Sequence, residues 1–129
     1  MEQLESKIVS SWIEYMVSGV AADASPEARR GHMAWSILAN LAEFDPPIAW
    51  KLITALIERN GELGYNLVGD IAAGPFEDLI TGIPGSLEEF FGQEDLEFVD
   101  ILLPHIIYSL AREDKQSWLG ARKRLLAGK

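Results

Sequence analysis

The chain has 129 residues, 48% apolar and 24% charged, which suits one globular domain with its own core and excludes wholesale disorder. Without cysteine it can form no disulfide, thiolate nucleophile or thiolate metal site, and charge interrupts every apolar stretch within about ten residues, half of what a spanning helix needs. Twenty acidic against 11 basic residues leave a net charge of −9, which disfavours phosphate-rich partners such as nucleic acid.

Met1 to Glu5 is acidic, unlike the basic start of a secretory signal, so a cytoplasmic location is expected. Leu4, Ile8, Trp12, Tyr15 and Met16 recur at three- and four-residue steps. That spacing predicts a first helix with one buried face, ending near Gly19. After a short loop over Ala21 to Ser25, Ser25-Pro26-Glu27 reads as a cap, a proline at the first helical position and an acid in the first turn. The second helix carries Met33, Trp35, Ile37, Leu38 and Leu41 inward and stops before Asp45. Asp45-Pro46-Pro47 repeats the start signal. The third helix follows with Ile48, Trp50, Leu52, Ile53, Leu56 and Ile57, and Asn60-Gly61 is expected to close it.

Tyr65 to Ala73 is short and apolar; helix is favoured, although its length also allows a strand. Gly74-Pro75 is expected to break it, with Pro75 opening a further short helix that packs Leu79 and Ile80 inward. A loop at Gly82-Ile83-Pro84-Gly85 precedes Ser86-Leu87-Glu88-Glu89, which matches a capping box. Phe90 and Phe91 end that turn near Gly92. A helix from about Glu94 through Leu96, Val99, Leu102 and Leu103 is interrupted at Pro104, and Ile106, Ile107 and Leu110 continue its apolar face. Asp114 caps a last helix with Trp118, Leu119, Leu125 and Leu126. The fold class is therefore all-α: a compact multi-helix bundle, for which stacked helical hairpins of the HEAT kind are one arrangement.

Charge is unevenly distributed. Between Arg59 and Arg112 there is no Lys or Arg, and the interval holds Glu62, Asp70, Glu77, Asp78, Glu88, Glu89, Glu94, Asp95, Glu97 and Asp100. The tail reverses sign with Arg112, Lys115, Arg122, Lys123, Arg124 and Lys129. Three acidic pairs, Glu77-Asp78, Glu88-Glu89 and Glu94-Asp95, fall where helix starts are expected, and dipole complementarity alone accounts for acids there. Adjacent positions on a helix point about 100° apart, so these pairs form no shared-proton dyad by spacing.

Catalytic signatures are missing. His32 and His105 lie in different expected helices without the spacing of zinc or di-iron ligands. No Gly-x-Ser-x-Gly surrounds a serine, and no phosphate loop can be written through the glycines. Trp12, Trp35, Trp50 and Trp118 take apolar positions on separate helices and read as packing anchors. No metal, no cofactor and no enzymatic activity are expected.

Ala49-Trp50-Lys51-Leu52-Ile53, the aliphatic stretch through Leu56-Ile57-Glu58-Arg59, and Ala73-Gly74-Pro75-Phe76-Glu77-Asp78-Leu79-Ile80 together resemble a family of uncharacterised bacterial helical domains, a domain of unknown function. Gly74 to Leu79 is the specific part, and the resemblance covers about a third of the chain, from about Trp35 to Ile80. It implies an all-helical bacterial domain and brings no activity or catalytic residues.

The expected role is a small acidic protein-interaction module, of the immunity or antitoxin kind, facing a basic partner protein. Glu77, Asp78, Glu88, Glu89, Glu94, Asp95 and Glu97 are the candidate contacts. The alternatives are a homo-oligomeric scaffold, in its simplest form a homodimer, and an enzyme using carboxylates alone. Membrane insertion is not expected.

Overall fold

The computed structural model describes residues 3–18, 26–83, 85, 87–105 and 119–127. Among these residues all the regular secondary structure is helical, with no strand. Helix α1 spans Gln3–Ser18, α2 Pro26–Phe44 and α3 Pro46–Leu63. A helical run then holds α4 (Val68–Ile71), a π turn (Ala72–Phe76) and α5 (Glu77–Gly82). Short helix α6 (Leu87–Phe90), a 3-10 turn (Gln93–Asp95), α7 (Leu96–Leu102) and a second 3-10 turn (Leu103–His105) follow, and a last helix, α8, covers 119–127. The expected features at Gly19, Ala21 to Ser25, Pro84, Ser86, Ile106, Ile107, Leu110, Asp114 and Trp118 lie outside the described residues.

Two hairpins stack. Helix α1 packs on α2 and also on α3, while α2 packs on α3 and on α5. Helix α3 is central because its apolar stripe is broad: Ala49, Leu52, Ile53 and Leu56 are fully enclosed, and each large aliphatic side chain so buried contributes about 1.5–3 kcal/mol. Helix α7 joins by packing against α4.

Small residues determine which face of α2 turns inward. Ala34, Leu38 and Ala42 are buried, whereas Met33 is 62% and Trp35 45% exposed, against the expectation that both point inward. A Cβ on Gly31 would stand 2.6 Å from Cδ1 of Tyr15, so α1 and α2 approach too closely for bulk along that seam. On α1 the buried set is Ile8, Val9, Trp12 and Ile13, and Leu4, expected inside, is 68% exposed. Two neighbours, α2 and α3, widen and turn the buried face relative to the single stripe expected.

Local punctuation also differs from expectation. Asp45 occupies the start of α3 and its carbonyl accepts from Ile48 and Ala49, but its side chain makes no capping bond. Asn60-Gly61 does not end α3; the helix runs to Leu63 and Gly64 closes it at φ 72°. Asn60 is instead buried, and its Oδ1 accepts the Leu67 N–H at 3.0 Å. The favoured helix over Tyr65 to Ala73 forms only from Val68 onward.

Gly74-Pro75 does not break the chain. In an α-helix the Pro75 ring would press on the Ile71 carbonyl and leave it without a donor. The π turn widens the backbone there, with Glu77 N–H reaching Ala72 O five residues back, and the helical run continues. Glu77 and Asp78 therefore lie inside a helical run rather than at its open start. Pro104 changes α7 to 3-10 geometry instead of stopping it at once.

Candidate functional site

The anionic segment from Glu77 to Asp100 does two jobs inside the molecule. Around Trp50 it closes the core. The Trp50 ring meets Phe91 edge-on at 4.9 Å and lies 6.0 Å from Phe76 and 6.4 Å from Phe98. Its Nε1–H donates to Asp95 Oδ1 at 2.7 Å, and the second carboxylate oxygen accepts the Gly92 N–H at 2.8 Å. Asp95 thus satisfies a mostly buried indole and holds the turn that starts α7.

The same segment pairs with helix α8. Arg122 donates from Nε and Nη2 to the Asp100 carboxylate, with Nη2 to Oδ2 at 2.8 Å. Arg124 Nε lies 2.8 Å from both Glu88 oxygens. Gln93 Nε2 donates to the Leu125 carbonyl at 2.8 Å. The Arg124 guanidinium holds the Glu88 carboxyl below its ordinary range.

The seven candidate carboxylates separate accordingly. Glu77 is 6% exposed and belongs to the interior. Asp95 is committed to Trp50 and Gly92, and Glu88 to Arg124. Asp78, Glu89, Glu94 and Glu97 are exposed and have no ion-pair partner among the described residues. Asp78 is nonetheless partly desolvated by the body of the protein; that first, and the neighbouring Glu77 second, push its carboxyl above the ordinary range. Glu97 precedes Asp100 by three residues on α7, so it flanks the Arg122 clamp.

Sequence spacing missed Asp100, Arg122 and Arg124 as one unit and the Trp50–Asp95 bond across 45 residues. The sign reversal between the middle and the tail was the available signal for the first. For the second there was none, since any of ten acids could have met Trp50.

Two grooves lie elsewhere. One, of about 510 Å³ between α1 and α3, is lined by Ser6, Ser10, Thr54 and by Lys51, Arg59 and Glu62. Its cations are engaged: Lys51 Nζ is 3.0 Å from Glu5 Oε2, and Arg59 is 3.7 Å from Glu62. The other, about 390 Å³ between α1 and α2, is apolar and lined by Leu4, Ile8, Met33, Ala34 and Ile37. None of the seven candidate carboxylates lines either. Among the described residues no three His, Asp or Glu side chains are grouped to hold a metal. No helix described is long and apolar enough to cross a membrane. Of the tryptophans, Trp12 and Trp50 are buried anchors, while the exposed Trp35 stacks on His32 at 5.8 Å. Compared with family models, with curated proteins and with solved structures, the chain matches none.

Proposed function

We propose that this protein is a small acidic protein-interaction module without catalytic activity, of the immunity or antitoxin kind, which binds and neutralises a basic partner protein. A bacterial, cytoplasmic setting belongs to the same reading, as does kinship with the helical domain family that Gly74 to Leu79 resembles. The observation that carries it is the geometry of the acidic edge. Two of its carboxylates, Asp100 and Glu88, already hold guanidinium groups, and Asp78, Glu89, Glu94 and Glu97 of the same acidic segment are exposed. Charge-assisted pairs of this kind give register and specificity, and a surplus of one sign speeds encounter with the opposite sign.

The test is a pull-down from the source organism's lysate, at low and at raised salt. It compares the wild type with a variant carrying Asp78→Asn, Glu89→Gln, Glu94→Gln and Glu97→Gln. Glu77 and Asp95 are left intact because they are engaged in the interior, and Glu88 because it already pairs with Arg124. A basic protein retained at low salt, released by raised salt and lost in the variant is the expected result. Equal capture by wild type and variant, or capture of nothing but the chain itself, overturns the reading.

A second reading, self-association as a homodimer or scaffold, has one observation in its favour: Leu4 and Met33, on the rim of the α1–α2 groove, are more than 60% exposed, and Phe44 is 77% exposed. It ranks second because two copies each bring a charge of −9.

A further inference from the structure

Helix α8 is attached in an unusual way. Of its nine residues 119–127, only Ala121 is buried. Leu119 is 50% and Leu126 45% exposed. Among the described residues it is held by Ala121 in the core, by Leu125 packed against that core, and by polar ties: two exposed arginine–carboxylate pairs and the Gln93 bond to its last-turn carbonyl. Exposed pairs contribute little to stability and are screened by salt.

The pattern along α8 explains how it seats. Ala121 and Leu125, four residues apart, form the seam that faces the body of the protein. Arg122 and Arg124 point about 200° apart on the helix, so they straddle that seam and reach Asp100 on one side and Glu88 on the other. The order small, Arg, any, Arg, Leu on one helix is thus what this surface accepts.

We propose that α8 is a releasable strap that occupies within the chain the site a basic helix of the partner takes from outside. The proposal rests on the reading that the partner is cationic, and it names the partner's contact: a helix bearing two arginines two residues apart, flanking a small residue and a leucine. While the strap is seated, Glu88 and Asp100 are masked, and apparent affinity is reduced by the fraction of molecules in which it is closed. Partner binding and strap closure compete for the same two carboxylates.

The experiment uses the full chain and a defined probe: an acetylated, amidated peptide with the sequence of residues 119–127, titrated by NMR because so short a helix binds weakly. Three proteins are compared: wild type, Arg122→Gln with Arg124→Gln, and Glu88→Gln with Asp100→Asn. Circular dichroism confirms that each is folded. Hydrogen exchange over 119–127 reports the strap, and it is expected to quicken in both variants and in the wild type at raised salt. The arginine variant, with its carboxylates free, is expected to bind the peptide at least about tenfold more tightly than the wild type. The carboxylate variant is expected to bind it no better than the wild type. Equal peptide binding by all three, or unchanged exchange in the arginine variant, overturns the strap. Failure here with a basic protein still captured in the pull-down removes the strap alone and leaves the interaction reading in place. Success here with no protein captured keeps the strap and removes that reading.

Discussion

Asp95 and Asp78 show how two carboxylates of one segment acquire opposite roles. Asp95 accepts from Trp50 Nε1 and from the Gly92 backbone, so its loss strands a mostly buried donor. Asp95→Ala is expected to cost about 1–3 kcal/mol in urea unfolding followed by tryptophan fluorescence, with Asp95→Asn losing less because one acceptor oxygen remains. A cost near zero would return Asp95 to the surface set. Asp78 has its carboxyl pKa raised by burial and by Glu77. The folded chain then holds a proton that the unfolded chain releases, so stability falls as pH rises between the unfolded and folded values. Asp78→Asn is therefore expected to be more stable than wild type at pH 7, with the difference vanishing below about pH 3.9, the ordinary aspartate value. Glu88, held down by Arg124, has the opposite sign: its contribution is present at neutral pH and is lost on acidification through the folded pKa.

At the scale of elements, two glycines in helices make opposite predictions for one substitution. A Cβ at Gly31 would overlap Tyr15, and the α1–α2 seam has no slack because Ala34, Leu38 and Ala42 are already buried there. Gly31→Ala is expected to destabilise by about 1–3 kcal/mol. Gly61, inside α3, has nothing within 4 Å of its Cβ position. Gly61→Ala is expected to stabilise by about 0.5–1 kcal/mol, through the lower entropy cost of alanine in a helix. Thermal or urea unfolding of the pair reads both signs, and a neutral Gly31→Ala would show that the seam can relax. The π turn is a device of the same scale. By absorbing Pro75 it keeps Val68 to Gly82 as one helical run, the partner that α2 and α3 pack against.

For the whole molecule, the balance is between an exposed apolar rim and a charge of −9. Leu4, Met33 and Phe44 favour association, while like charges on two copies oppose it. Sedimentation at low salt is expected to show a monomer, unchanged by Leu4→Gln with Met33→Gln. A dimer that these changes dissolve would move the homo-oligomeric reading ahead of the cationic-partner one.

Helix existence and most helix starts were legible in the residues themselves. Apolar positions repeating at three and four steps marked α1, α2 and α3, and Pro26 and Pro46 marked where two of them begin, because periodicity and the missing proline N–H act locally. The acidic middle and basic end were equally plain. What only the tertiary structure decided were matters of distance between remote segments. On α2 Met33 and Trp35 lost the buried face to Ala34, Leu38 and Ala42, because Gly31 brings α1 too close for bulk beside it. Asn60 gave up its expected role as a stop and took the Leu67 N–H instead. Asp95 found Trp50, and Arg122 and Arg124 of α8 met Asp100 and Glu88. Which of several equivalent acids is used, and which side of a helix faces in, depends on where neighbouring helices lie, and no local pattern carries that information.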